Sequence, residues 1–343
     1  VDRPATWWAQ GNPTTRHVRC EHPAKVLGGQ VRSPDMVGWA GLDLVEVNEG
    51  VAIWQILCNF ARLGMARRLL NNGVPVYAEV DDDYTRWDET VANSQWTAGM
   101  PDPGHPMQQY QASVELHRRA SGLVEGIICA TPRLADVYSE LNPNVAVCPN
   151  SVDPDEWADP VERDETFRII WMASASHRVD QRIIGKALEW AAKQPGVEVT
   201  VVGSAIQHLN LNRIPWMDSL DDYRRVMVEI APDVGVCPLR DTAFSRGKSD
   251  LKALEYSMAG AMPVISKLEP YEPWQPLVGD ACLEAQSVDE WFEVIRWTVE
   301  NQDEVREMGR RARAHVLANR TIQATRQAWA DAIAVPVHEL ALA

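Results

Sequence analysis

Apolar positions along the chain fall into two recurring rhythms. Nearly continuous apolar runs occur at VPVYAEV (74–80), LVEGIICAT (123–131), FRIIWMASAS (167–176) and VEVTVVG (197–203). Bounded by turn residues, such runs predict buried strands. HVRC (17–20), DLVEV (43–47) and Pro263-Val264-Ile265 read as shorter strands. Between them lie stretches of helical spacing. These cover 51–73, stopping at Asn71-Asn72-Gly73, then 107–122, 180–193, the middle of 212–239, 287–301, and an Arg/Ala-rich tail to residue 330. Strand and helix in alternation predict parallel sheets with right-handed crossovers. The acidic, proline-containing segment 154–166 separates two such units and reads as a linker. The expectation is an α/β protein of two parallel-sheet domains with a ligand cleft between them.

Composition narrows this picture. A length of 343 residues allows two domains that each bury a core. No apolar run reaches the roughly 18–20 residues of a membrane span, and the start lacks a basic-then-apolar pattern, so a cytoplasmic protein is expected. The net charge of −15, with most of the acidic excess before residue 166, disfavours long-range attraction to nucleic acid or an anionic membrane. The six cysteines are scattered without a C-x-x-C pair, which points to buried free thiols. Fourteen tryptophans imply aromatic cores, with sugar-stacking platforms as the alternative.

Candidate chemistry concentrates in Asp241 to Ser266. Ser249 reads as an N-cap, Leu251, Leu254 and Met258 as one buried helix face, and Gly260 as a left-handed stop. Arg246, Lys248 and Lys252 crowd the helix start, where the macrodipole already disfavours cations. A diphosphate docking on the free N–H groups would reconcile them, with Glu255 accepting from a pair of sugar hydroxyls. A solvated basic helix start with a Lys252–Glu255 pair accounts for the same spacing. A second cluster, Asp81-Asp82-Asp83-Tyr84, follows the strand 74–80, where parallel sheets present chemistry. Mutual repulsion can raise one of these acids for proton transfer, while an acidic capping turn is the plainer reading. Residues 91–108, with Trp96 and His105, read as a surface loop able to cover an acceptor.

The stretch PLRDTAFSRGKSDLKALEYSMAGAMPVIS (238–266) resembles the donor-nucleotide signature of glycosyltransferase family 4, which has the GT-B fold of two Rossmann-like domains facing a cleft. It is similar in particular to the bacterial and phage-type branch with F-N-x-x-K-S-x-x-K-x-L-E-Y. Further family-like segments follow in order: V-D-D-D at 80–83, I-I-C-A-T-P-x-L-A at 127–135, V-x-V-x-P-N-x-V-D at 145–153, and I-x-W-x-x-S-x-x-H ending near His177. Asn150 and Asp153 would lie at the hinge.

The resemblance implies an acceptor-side domain over 1–160, a nucleotide-sugar domain over 161–320, and a helical tail, 321–343, packing back on the first. It places Ser174, Ser176, Arg178, Arg246, Lys248 and Ser249 near the phosphates, Gly203 near the nucleoside and Glu255 at the ribose. Asp82 and Asp83 are the catalytic-side candidates. His22, Gly28, Gly29, Tyr84 and His105 fall on the acceptor side, the two glycines in a loop after the first strand. The sequence departs from the family at Gly247, where a first glutamate belongs, at Ser245 for asparagine, and at Ala173 for glycine.

The implied activity is retaining, metal-independent transfer of a sugar from a nucleoside diphosphate sugar, UDP-glucose by default, to a hydroxyl. The acceptor is a glycan, protein, metabolite or modified DNA base, the last pointing to a phage enzyme in host cytoplasm. The rival readings are a non-catalytic sugar-nucleotide-binding protein and a sugar-nucleotide epimerase. No strand precedes G-x-G-x-x-G, which disfavours a dehydrogenase.

Overall fold

The computed structural model describes residues 5–9, 13–32, 50–57, 60–86, 106–173, 177, 179–203 and 211–333. The strand expected at 43–47 and most of the loop 91–108 lie outside them. Among the described residues twelve strands form two six-stranded sheets, and all their pairings are parallel. The first contains β1 (Ala5–Trp8), β2 (Gln30–Arg32), β3 (Val51–Gln55), β4 (Val76–Val80), β5 (Gly126–Cys129) and β6 (Val145–Val147), in the order β2-β1-β3-β4-β5-β6. The second contains β7 (Phe167–Ala173), β8 (Val197–Gly203), β9 (Asn212–Ile214), β10 (Val234–Cys237), β11 (Met262–Ser266) and β12 (Leu283–Ala285), in the order β12-β11-β10-β7-β8-β9. Both orders reverse direction once, between β1 and β3 and between β7 and β10. The carboxyl ends of the strands beside such a switch point form a ready-made ligand crevice.

Alternation along the strands sends successive side chains to opposite faces of the first sheet. Trp7, Ile53 and Tyr77 join one core, and Trp8, Trp54 and Ala78 the other. Trp8 and Trp54 stack at 4.9 Å between ring centroids. The Trp7 face is covered by the helix Arg326–Ile333, whose Trp329, Ala332 and Ile333 are buried in that core. The polypeptide thus leaves the second sheet through the helix Gln302–Asn319 and ends its described course against the first.

Two sequence expectations are corrected. Residues 51–73 are not one helix: Val51–Gln55 is a central strand, and the helix is Phe60–Asn71. A short, fully buried apolar run carries no periodicity to separate the two. HVRC is not a strand, but a wide helical turn, His17–Glu21, between Pro13–Arg16 and the helix His22–Leu27. Here tertiary bonds override propensity. Arg19 is buried and donates to the Glu79 carboxylate at 2.6 Å, while His17 and Glu21 pair one turn apart at 2.7 Å. The five described cysteines are free and buried.

Candidate active site

The turn leaving β4 sorts three adjacent acids into different tasks. Asp81 accepts from the Tyr84 phenol at 2.8 Å. Asp83 caps its own turn, accepting from the Thr85 amide at 3.0 Å and hydroxyl at 2.6 Å. Asp82 points across to the other lobe, where Lys248 Nζ lies 3.8 Å from its Oδ1. Burial pushes the Asp82 carboxyl up to about 7, helped by Asp81 and Asp83 and opposed by Lys248. A buried acid near neutrality, facing a cation across a cleft, has the protonation range of a general base.

The opposite wall comes from the carboxyl ends of β7 and β10. After β10 the chain makes a single turn, Ala243–Arg246, capped by the Thr242 hydroxyl, and then the helix Leu251–Met258. Ser249 is not the N-cap of that helix; Asp250 holds the position without a side-chain capping bond. The Asp250 carboxylate is instead committed to Arg320, at 2.6 and 2.9 Å, and to Trp274 Nε1 at 3.0 Å. The Ser249 hydroxyl accepts from Asn150 Nδ2 at 2.7 Å. The Lys252–Glu255 pairing open on spacing is not formed as a hydrogen bond. Lys252 Nζ donates to His177 Nε2, while Glu255 accepts from the Tyr223 hydroxyl at 3.0 Å.

Burial shapes both groups. It lowers Lys252 to about 8, with Lys248 adding repulsion, and raises Glu255 to about 7 against the pull of Tyr223 and Arg224. His177 is lowered to about 3 by burial and by Lys252, so at neutral pH it is an uncharged acceptor. Its other nitrogen donates to Asp180 at 2.8 Å, and Asp180 accepts the Arg240 amide at 3.0 Å. Lys252 is thereby oriented by a relay running back to the end of β10.

Arg246 is placed differently from the two lysines. Its guanidinium is shared by exposed Asp241, at 2.7 and 2.8 Å, and half-buried Glu269 at 2.5 Å. Gly203 closes β8 with φ 105°, and a Cβ there would lie 2.4 Å from the Ala173 carbonyl oxygen. Trp216, an exposed aromatic, has its ring edge beside Gly203. Ser174, Ser176, Arg178 and His105 lie outside the described residues.

On the first lobe, Gly28 ends the helix His22–Leu27 in the left-handed region at φ 71°, and Gly29 sits where a Cβ would meet the Trp7 ring at 2.2 Å. These two glycines are therefore explained by a helix stop and core packing, and the segment His22–Leu27 leading to them is a helix. His22 is buried at the lobe junction on Glu156. Tyr84, also at this wall, packs edge-on to His117.

Sequence reasoning missed the relay through Asp180, because its partners come together only on folding. It also missed Ile56, a β-branched residue with φ 54° at the end of β3 beside the first switch point. Such backbone is strained and persists only where the surroundings impose it. Gly247 gains a physical reason. A Cβ at that position would come within 3.0 Å of Asp83 Cβ and 3.2 Å of Leu134 Cδ2, so glycine lets the two walls touch.

No protein-family model matches the sequence, and no curated protein matches it. Solved structures do. HepE from Anabaena, in complex with UDP and glucose, aligns with a TM-score of 0.65 at 13% identity, over 97% of this chain and 100% of that one. Sucrose-phosphate synthase from Thermosynechococcus elongatus aligns with a TM-score of 0.64 at 12% identity, over 96% and 98% of the two chains. TarM aligns at 0.59 and 12% identity over 84% of this chain, which spans 55% of TarM's length. At these identities the likeness defines the fold, the two-lobed GT-B architecture.

Proposed function

We propose that the protein is a glycosyltransferase that moves a sugar, glucose from UDP-glucose in the first instance, from a nucleoside diphosphate to a hydroxyl acceptor. The observation that carries this reading is the meeting of Asp82 with Lys248 across the cleft, with half-buried Lys252 and buried Glu255 on one helix behind it. Residues 161–320 form the donor side and 1–160 the acceptor side. Lys248 and Lys252, with the amides around Ser249, hold the diphosphate, and Glu255 accepts from the ribose hydroxyls. The solved structures include one bound to UDP and glucose and one bound to UDP-glucose, which supports a nucleotide-sugar ligand for the shared fold.

The leaving group gathers negative charge as the glycosidic bond breaks. Two half-buried, preorganised lysines stabilise that charge without a metal ion in the transfer step. Asp82, titrating near 7, accepts or steers the proton of the attacking hydroxyl. The family resemblance adds retention of anomeric configuration, with the diphosphate oxygen assisting deprotonation. The test is release of free UDP from UDP-glucose, with and without simple hydroxyl acceptors. Turnover, even slow hydrolysis, supports an enzyme; tight UDP binding without turnover of any nucleotide sugar would make it a binding protein.

A further inference from the structure

Beneath the cleft, where the lobes join, a second cluster of polar side chains serves no step of the proposed transfer. His17 and His22 come from the N-terminal helical segment, and Glu156 from the linker turn Pro154–Glu156. His17 Nε2 lies 2.9 and 2.8 Å from the two Glu156 carboxylate oxygens, and His22 Nε2 lies 3.1 Å from one of them. One ligand atom from each of the three residues falls within 4.8 Å of the others. A divalent ion with tetrahedral bonds of about 2.0–2.2 Å to nitrogen and oxygen holds neighbouring ligands about 3.3–3.6 Å apart. Each imidazole already lies within about half an ångström of that distance from a Glu156 oxygen.

The surroundings fit the same chemistry. His17 Nδ1 pairs with Glu21 Oε2 at 2.7 Å, while Arg16 takes the other oxygen of Glu21 at 2.8 Å. A carboxylate on the far nitrogen fixes the tautomer that presents Nε2 to a metal, the arrangement seen behind metal-bound histidines. Arg224 reaches Glu156 Oε2 at 2.7 Å from the second lobe. That is the oxygen both imidazoles approach, so an ion entering between them either takes it from Arg224 or binds through Oε1, which lies 2.9 Å from His17 Nε2. Two imidazoles and one carboxylate select a borderline divalent transition metal over magnesium or calcium.

We propose that His17, His22 and Glu156 form a site for one divalent transition-metal ion of the zinc class, clamping the N-terminal helices to the inter-lobe linker. On entry the ion displaces the Nε2 protons that lie between imidazole and carboxylate, and these pass to solvent. Three protein ligands leave a coordination position for water. The clamp holds whichever substrate the cleft takes and is independent of the glycosyltransferase reading.

Untagged protein, stripped with a chelator and desalted, is titrated with Co2+ by visible absorption and with Zn2+ by calorimetry. The expected result is a single saturable site whose Co2+ bands are bleached by Zn2+. Binding is lost in His17→Ala and His22→Ala, and weakened roughly 10- to 100-fold in Glu21→Gln, which only loosens the supporting carboxylate. Circular dichroism confirms that each variant folds, and His17→Gln and His22→Gln replace any alanine variant that does not. Absence of saturable Co2+ and Zn2+ binding in the unmodified protein overturns the proposal, as does binding unchanged in both histidine variants.

Discussion

Asn150 Nδ2 donates to Ser249 Oγ at 2.7 Å, tying the end of the first lobe to the start of the helix that carries Lys252 and Glu255. The same asparagine accepts from Arg19 Nη1 at 3.1 Å through its side chain and from Arg320 Nη2 at 3.0 Å through its carbonyl. Arg19 in turn holds Glu79 in β4, one residue before the strand end that leads to Asp82. The hinge is thus hydrogen-bonded to both walls of the cleft. Asn150→Ala leaves the half-buried Ser249 hydroxyl and the buried Arg19 guanidinium short of a partner. Its expected cost is about 1–3 kcal/mol in chemical denaturation, with a raised KM for the donor. An unchanged denaturation midpoint and KM would show that the link is incidental.

The acid and base limbs of the rate follow from burial. Asp82 must be ionised to act as base, and burial raises it to about 7. Lys252 must be protonated to hold the diphosphate, and burial lowers it to about 8. The ratio kcat/KM therefore rises through about pH 7, falls through about pH 8, and peaks between them, since it reports the free enzyme. Asp82→Asn removes activity dependent on the base, and Lys252→Arg moves the falling limb to higher pH. A flat profile from pH 6 to 9 would contradict both assignments.

Gly247 allows the walls to meet. A side chain there must push against Asp83 and Leu134. Gly247→Val is expected to leave UDP affinity within about threefold, because the donor wall is intact, while lowering kcat at least roughly tenfold by holding the lobes apart. Equal kcat in the variant would mean that this contact is not part of the active geometry.

Much of this architecture was legible in the chain. The alternation of apolar runs and helical periods announced two parallel-sheet units, and Arg246, Lys248 and Lys252 stood out for their cost at a helix start. What misled were places where tertiary partners decide. Val51–Trp54 is apolar at every position because both faces of a central strand are covered, and so it looks the same as a buried helix. His17–Glu21 carries strand-like residues but folds helically around the Arg19–Glu79 pair. Ser249 has the chemistry of a cap, yet its hydroxyl is claimed by an asparagine 99 positions away. Arg246 reads like a third phosphate ligand until Asp241 and Glu269 are seen around it.

Trp329 closes the first lobe from the far end of the chain. It is 2% exposed, meets Trp7 edge-on at 6.5 Å, and lies under the Arg19 guanidinium at 4.8 Å. Trp329→Ala opens a large cavity and is expected to cost about 3–5 kcal/mol. It should lower the first melting transition, while UDP binding at low temperature persists. A melting curve matching the unmodified protein would mean that this helix is not part of the fold's core.

The most direct measurement is the equilibrium affinity for UDP of the unmodified protein and of Glu255→Ala. Glu255 is buried and charge-poised, and in this account its carboxylate accepts from the ribose. The substitution removes hydrogen bonds to a charged group, worth about 1.5–3 kcal/mol, so UDP should bind roughly 10- to 100-fold more weakly while the variant melts as a folded protein. Equal affinity in the folded variant, or no binding of UDP or any other nucleoside diphosphate by the unmodified protein, would contradict the assignment of this helix as the donor site.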